Sequence, residues 1–155
     1  MSAEDQTRVQ QAYQAYIEHT LQSIVNFLGE DTEVDRIWVY TDMAFGGISS
    51  HPFFRLHDEF YNHGDLEAAD PSNDYDHEAL VEEIADTNTD VELVQACRAA
   101  GAVPERIITV YNPQSGELES QWDYEGVLLD DGDNTGRALD RWIRTMGGKT
   151  IYAKD

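Results

Sequence analysis

Val34-Asp-Arg-Ile-Trp-Val-Tyr-Thr-Asp42 is rich in β-branched and aromatic residues, and Ala44-Phe-Gly-Gly47 follows it with turn chemistry. The pair predicts a strand, a turn and a second strand over roughly Ile48 to Leu56. Pro52 cannot donate to a sheet ladder, so this second strand is expected at an edge or with a bulge. A third strand is expected within His57 to Leu66. Upstream, Ser2 followed by Asp5 resembles a capping box. Val9, Tyr13, Tyr16, Ile17, Leu21, Ile24 and Leu28 then recur at helical spacing up to Gly29. The chain therefore opens on an amphipathic helix.

Downstream, Glu67 to Asp76 is acidic and carries Pro71, Ser72 and Asn73, which predicts a loop ending in a helix cap. Leu80, Ile84, Thr87, Val91, Val94 and Arg98 lie on one helical stripe ending at Gly101. The weak helix formers Thr87-Asn-Thr89 mark the place for a kink or break in this long central helix. Arg106 to Tyr111 and Glu117 to Tyr124 form a predicted hairpin around Asn112-Pro-Gln-Ser-Gly116. Asn134 or Thr135 caps a last helix with a buried side of Ala138, Leu139, Trp142, Ile143 and Met146, stopped by Gly147-Gly148. The order predicts an α+β fold: one antiparallel sheet of four to five strands packed with an N-terminal, a central and a C-terminal helix. Residues 1 to 155 read as a single domain, with no repeat or linker.

Composition narrows the function. The chain has 31 acidic and 10 basic residues, a net charge of −21, and only two lysines, Lys149 and Lys154. Such a field repels nucleic acid and anionic lipid and attracts basic surfaces. A single cysteine, Cys97, rules out an intramolecular disulfide framework and fits a reducing compartment. No apolar run suggests a membrane helix, and the polar start from Met1 to Gln11 is unlike a signal peptide, so a cytoplasmic protein is expected.

Motifs for catalysis and cofactors are wanting. The histidines His19, His51, His57, His63 and His77 lack paired metal-ligand spacing, and no cofactor or metal is expected. Asp70, Ser72, Asp74 and Asp76 imitate the start of a calcium loop, but Tyr75 and Val81 stand where Gly and Glu are needed. Asp130-Asp-Gly-Asp-Asn134 reads as an acidic helix start, although weak calcium binding there stays open. Gly46-Gly47 and Gly147-Gly148 have no phosphate-loop context. Ser49, Ser50 and Ser72 lack a nucleophile elbow, and Cys97 falls beside a buried stripe where thiols are inert.

The strand from Glu117 to Glu125 is different. Alternation puts Glu117, Glu119, Gln121, Asp123 and Glu125 on one face, and Leu118, Ser120, Trp122 and Tyr124 on the other. Acids about 7 Å apart repel by roughly 0.6 kcal/mol in water before screening, which the fold can tolerate. With Asp130, Asp131 and Asp133 they form a candidate surface for a basic protein partner. A solvated outer face of a one-sided sheet has the same pattern.

The strand Arg36-Ile-Trp-Val-Tyr40, the Gly-marked turn and Pro52-Phe-Phe54 resemble the YezG/EsaG-type antitoxin family. Trp122-Asp-Tyr-Glu125, the acidic connection and Arg137-Ala-Leu-Asp-Arg-Trp142 extend the likeness over most of residues 3 to 147. The resemblance implies an immunity protein without catalytic activity that binds a secreted toxin, in characterised cases a nuclease, inside the producing cell. The acidic face suits the basic phosphate-binding cleft of such a nuclease. Two alternatives stand beside it. One is a salt-adapted acidic α+β domain with a regulatory or small-molecule-binding role. The other is a metal-dependent enzyme built on His57, Asp58, Glu59 and His63.

Overall fold

The computed structural model describes residues 2–71, 73–87, 91–130 and 132–147. Helix α1, Ala3–Leu28, starts where the Ser2 hydroxyl accepts the Asp5 N–H at 3.1 Å. Glu4 and Asp5 in its first turn complement the positive end of the helix dipole. It stops at Gly29, whose φ of 82° a side chain would resist and whose N–H closes onto the Val25 carbonyl. All seven residues of the expected apolar stripe are buried.

Strands β1, Arg36–Asp42, and β2, Ser49–Leu56, form the expected hairpin, with Val39 opposite Pro52. β3, Glu59–Asn62, turns back along β2. After a short helix α2, Leu66–Ala69, inside the expected loop, the central helical region is two helices: α3, His77–Thr87, and α4, Glu92–Ala100. Thr87 ends α3 with its hydroxyl turned back onto the Ile84 carbonyl, the local competition that makes threonine a weak helix former. Asn88 and Thr89, the rest of the expected break, lie outside the described residues. β4, Arg106–Tyr111, and β5, Leu118–Asp123, pair as the second hairpin, and α5, Thr135–Thr145, closes the fold with Asn134 accepting the Arg137 N–H.

The sheet is antiparallel throughout, in the order β3-β2-β1-β4-β5. Helices α1, α3 and α4 cover one face, with Ile37, Val39, Phe54, Leu56 and Ile107 beneath them. α5 covers the other, setting Trp142 and Ile143 on Trp38, Tyr40, Phe53 and Ile108. Central β1 is buried on both faces, which is why its sequence reads as a nearly continuous apolar run. The α1 layer also has a polar seam. The Tyr16 hydroxyl meets Thr41 on β1 at 2.8 Å and Ser50 on β2 at 2.5 Å, and Tyr13 meets Thr109 on β4 at 2.7 Å.

The expectation for Pro52 needs correction: β2 lies between β1 and β3 and is not an edge strand. β3, however, pairs only with Phe53 to Leu56, so Pro52 sits one residue past the last pair. There the proline can turn its missing donor to an unpaired side.

Candidate functional site

Glu117 follows a turn that Asn112 builds by accepting the N–H groups of Gln114 and Ser115, with Gly116 at φ 77°. The expected alternation holds along β5, which is one of the two outer strands of the sheet. Glu119, Gln121 and Asp123 stand opposite Val110, Ile108 and Arg106, while Trp122 on the other side packs edge-on against Tyr13 at 5.1 Å. Glu117, Glu119, Glu125 and Asp130 are exposed.

Asp123 and Asp133 are used internally. Asp123 accepts Arg106 Nε at 2.7 Å and Gln121 Nε2 at 2.9 Å. Burial alone would push its carboxyl up, but these donors hold it below the ordinary range. The same Arg106 lies over the Tyr40 ring, 5.7 Å from its centre. Asp133 is only 9% exposed and takes a forked grip from Arg141, besides the N–H groups of Leu129 and Asn134. Arg141 also donates to the Val127 carbonyl. The guanidinium beside Asp133 holds its carboxyl well below the usual carboxylate range. Asp133 therefore ties Leu129 and Asn134 to Arg141 of α5 and presents nothing to a partner. Asp131 lies outside the described residues. The acidic surface left for contact is Glu117, Glu119, Glu125 and Asp130. Leu118, on the opposite face of β5, is 44% exposed, and Tyr124 and Leu129, beyond the strand, are 48% and 68% exposed.

The histidine cluster suggested as a metal site does not assemble. His57 sits in the β2–β3 turn and bonds Glu33, whereas His63 lies past the far end of β3. Among the described residues no group of three or more His, Cys, Asp or Glu is placed to hold a metal ion, and no helix is long and apolar enough to cross a membrane.

Sequence reasoning missed a cavity of about 560 Å³ at the β2 margin that β3 leaves uncovered. Pro52 and Phe53 of β2, Val81 and Ile84 of α3, and Leu139 and Ile143 of α5 form its walls. Polar groups come from His51 and from the turn after β3, where Asn62 accepts the N–H groups of Gly64 and Asp65 and so fixes the position of His63. His51 Nε2 lies 3.1 Å from the Ser49 hydroxyl. Burial pushes both imidazoles below their ordinary value, keeping them neutral at pH 7. His63 Nδ1 is buried with no hydrogen-bond partner, one of two such side-chain atoms among the described residues. In the sequence, Pro52 marks the margin of this cavity without revealing it.

No protein-family model matches this chain, and no curated protein matches it at a significant level. Two surfaces bear on function: an acidic outer strand with exposed apolar side chains, and an apolar cavity beside the half-buried His51 and His63.

Proposed function

We propose that this chain is a binding protein without catalytic activity, which neutralises a basic protein toxin, of the nuclease type that the family resemblance implies, inside the cell that makes it. The observation that carries this reading is the composition of the β5 edge. Glu117, Glu119 and Glu125 have no ion pair among the described residues, and Leu118 on the other face of the same edge strand and Tyr124 and Leu129 beyond it are exposed. Acids give steering and orientation toward a basic cleft, while desolvated aromatic and aliphatic anchors supply most binding energy.

The test is growth rescue against a secreted toxin encoded at the same locus, with affinity for its C-terminal domain measured across salt concentrations. Glu117→Lys with Glu119→Lys should weaken binding about tenfold at low salt and flatten the salt dependence. Tyr124→Ala should weaken it with little change in salt dependence. Absence of such a toxin gene, or rescue and affinity indifferent to the charge reversal, overturns the proposal.

A second reading is favoured by the spread of acids over the whole surface. Glu4 and Glu18 on α1, Glu59 on β3, Glu78 and Glu82 on α3 and Glu92 on α4 are all exposed. Charge distributed in this way fits a salt-adapted domain with a regulatory or small-molecule-binding role, and the response of stability to salt separates the two.

A further inference from the structure

We infer that the outer edge of β5 receives an extended, basic segment of the partner protein as a sixth, antiparallel strand of the five-stranded sheet. This strand addition rests on the toxin-binding reading and specifies how that partner is held.

The hydrogen-bond phase of the sheet fixes which groups this edge presents. The Glu105 carbonyl accepts the Met43 N–H, so the odd-numbered residues of β4 turn their backbone groups to β1 and the even-numbered ones to β5. On β5 the Glu117 carbonyl accepts the Asn112 N–H and the Asp123 carbonyl accepts the Glu105 N–H, both on the β4 side. Alternation then turns the N–H and C=O groups of Leu118, Ser120 and Trp122 away from the sheet, where no further strand lies among the described residues. β5 runs for six residues, Leu118–Asp123, without the proline or lysine that commonly protects an open edge. The opposite edge, β3, has only four residues.

The side chains of β5 select the occupant. A strand added in the antiparallel sense, as everywhere else in this sheet, sets its side chains beside those of β5 on matching faces. One of its faces meets the exposed acids Glu117 and Glu119, where lysine or arginine gains cross-strand ion pairs. The other meets Leu118, Ser120 and Trp122, where β-branched side chains cover the exposed leucine. A second copy of this chain is disfavoured, because pairing edge to edge brings together two chains of net charge −21.

The probe is the peptide acetyl-Thr-Lys-Val-Arg-Val-Lys-Thr-amide, titrated into the intact protein and followed by two-dimensional amide NMR. Beside it run the same peptide N-methylated at both valines, which keeps the charge but removes donors facing β5, and a version with glutamate at every cationic position. The expected result is saturable binding of the basic peptide, with exchange of the Leu118, Ser120 and Trp122 amides slowed about tenfold at saturation. The N-methylated and acidic peptides should bind about tenfold more weakly or worse. Ser120→Pro, which removes an outward N–H and leaves the bonds to β4 in place, should abolish both peptide binding and growth rescue. Rescue kept by Ser120→Pro but lost on Glu117→Lys with Glu119→Lys overturns strand addition and leaves the toxin-binding reading standing. The peptide comparison needs no variant and no toxin, so a folding defect in Ser120→Pro leaves a decisive result. Absence of saturable binding, protection confined to other amides, or an N-methylated or acidic peptide bound as well as the basic one overturns the inference.

Discussion

Asp42 ends β1 with its carboxyl buried beside the start of α5, where Thr135 and the Ala44 N–H hydrogen-bond it. Burial pushes this carboxyl above its ordinary value, and the nearby Glu105 charge adds to the rise. A carboxyl raised on folding holds its proton more tightly in the folded chain. Stability is therefore present at low pH and lost as pH climbs from the unfolded value through the folded one. Asp42→Asn keeps the shape and removes that loss, so its thermal midpoint should exceed the wild-type value at pH 7 by about 3 °C, with the gap closing toward about pH 4. Parallel melting curves at every pH would sink the idea. At this scale the caps were legible in the sequence, because Ser2 and Asn134 bond to amides three residues away. The fate of Asp123 and Asp133 was not. Arg106 reaches Asp123 from the neighbouring strand, and Arg141 reaches Asp133 from two turns along the next helix.

Among the elements, the β2–β3 connection is the strained one. Its two turn residues, His57 and Asp58, both adopt positive φ, at 51° and 64°, the conformation of a tight two-residue hairpin turn that favours Asn-Gly. Replacing the pair with Asn-Gly should stabilise the protein by about 1 kcal/mol in chemical denaturation, because the exposed His57–Glu33 contact that is lost contributes little. An unchanged or lower denaturation midpoint would show that the turn stores no strain. This chemistry explains why the third strand could be read only within broad limits: His-Asp carries no turn signature that outweighs its context. Two helices, α3 and α4, stand where a long central helix with a kink or break was expected, in keeping with the local effect of poor helix formers such as Thr87. The place of β2 within the sheet was not legible, because it depends on how far β3 extends.

For the molecule as a whole, charge dominates. Thirty-one acids face 10 basic residues, and several of those cations are taken by internal pairs such as Arg106–Asp123 and Arg141–Asp133. Salt weakens those few attractions but screens many more repulsions. Raising KCl from about 0.1 M to about 2 M should therefore stabilise the chain by roughly 2 kcal/mol, a midpoint increase of about 4–8 °C. A much larger rise, or failure to fold at low salt, favours the salt-adapted reading over the toxin-binding one. A flat response would show that the acids lie too far apart to repel. Net charge, fold class and the alternation on β5 were all legible in sequence order. The cavity was not, since its walls come from three elements and meet only after the sheet is assembled.

The hydroxyl of Tyr16 has a mechanical consequence. It touches Thr41 and Ser50 on adjacent strands at once, so it fits at one axial setting of α1. Sliding the helix by a single residue would carry the oxygen about 1.5 Å away and orphan all three groups in an oily layer. The phenol thus works as an indexing pin: it denies the helix the near-equivalent seatings that a wholly hydrocarbon interface would allow.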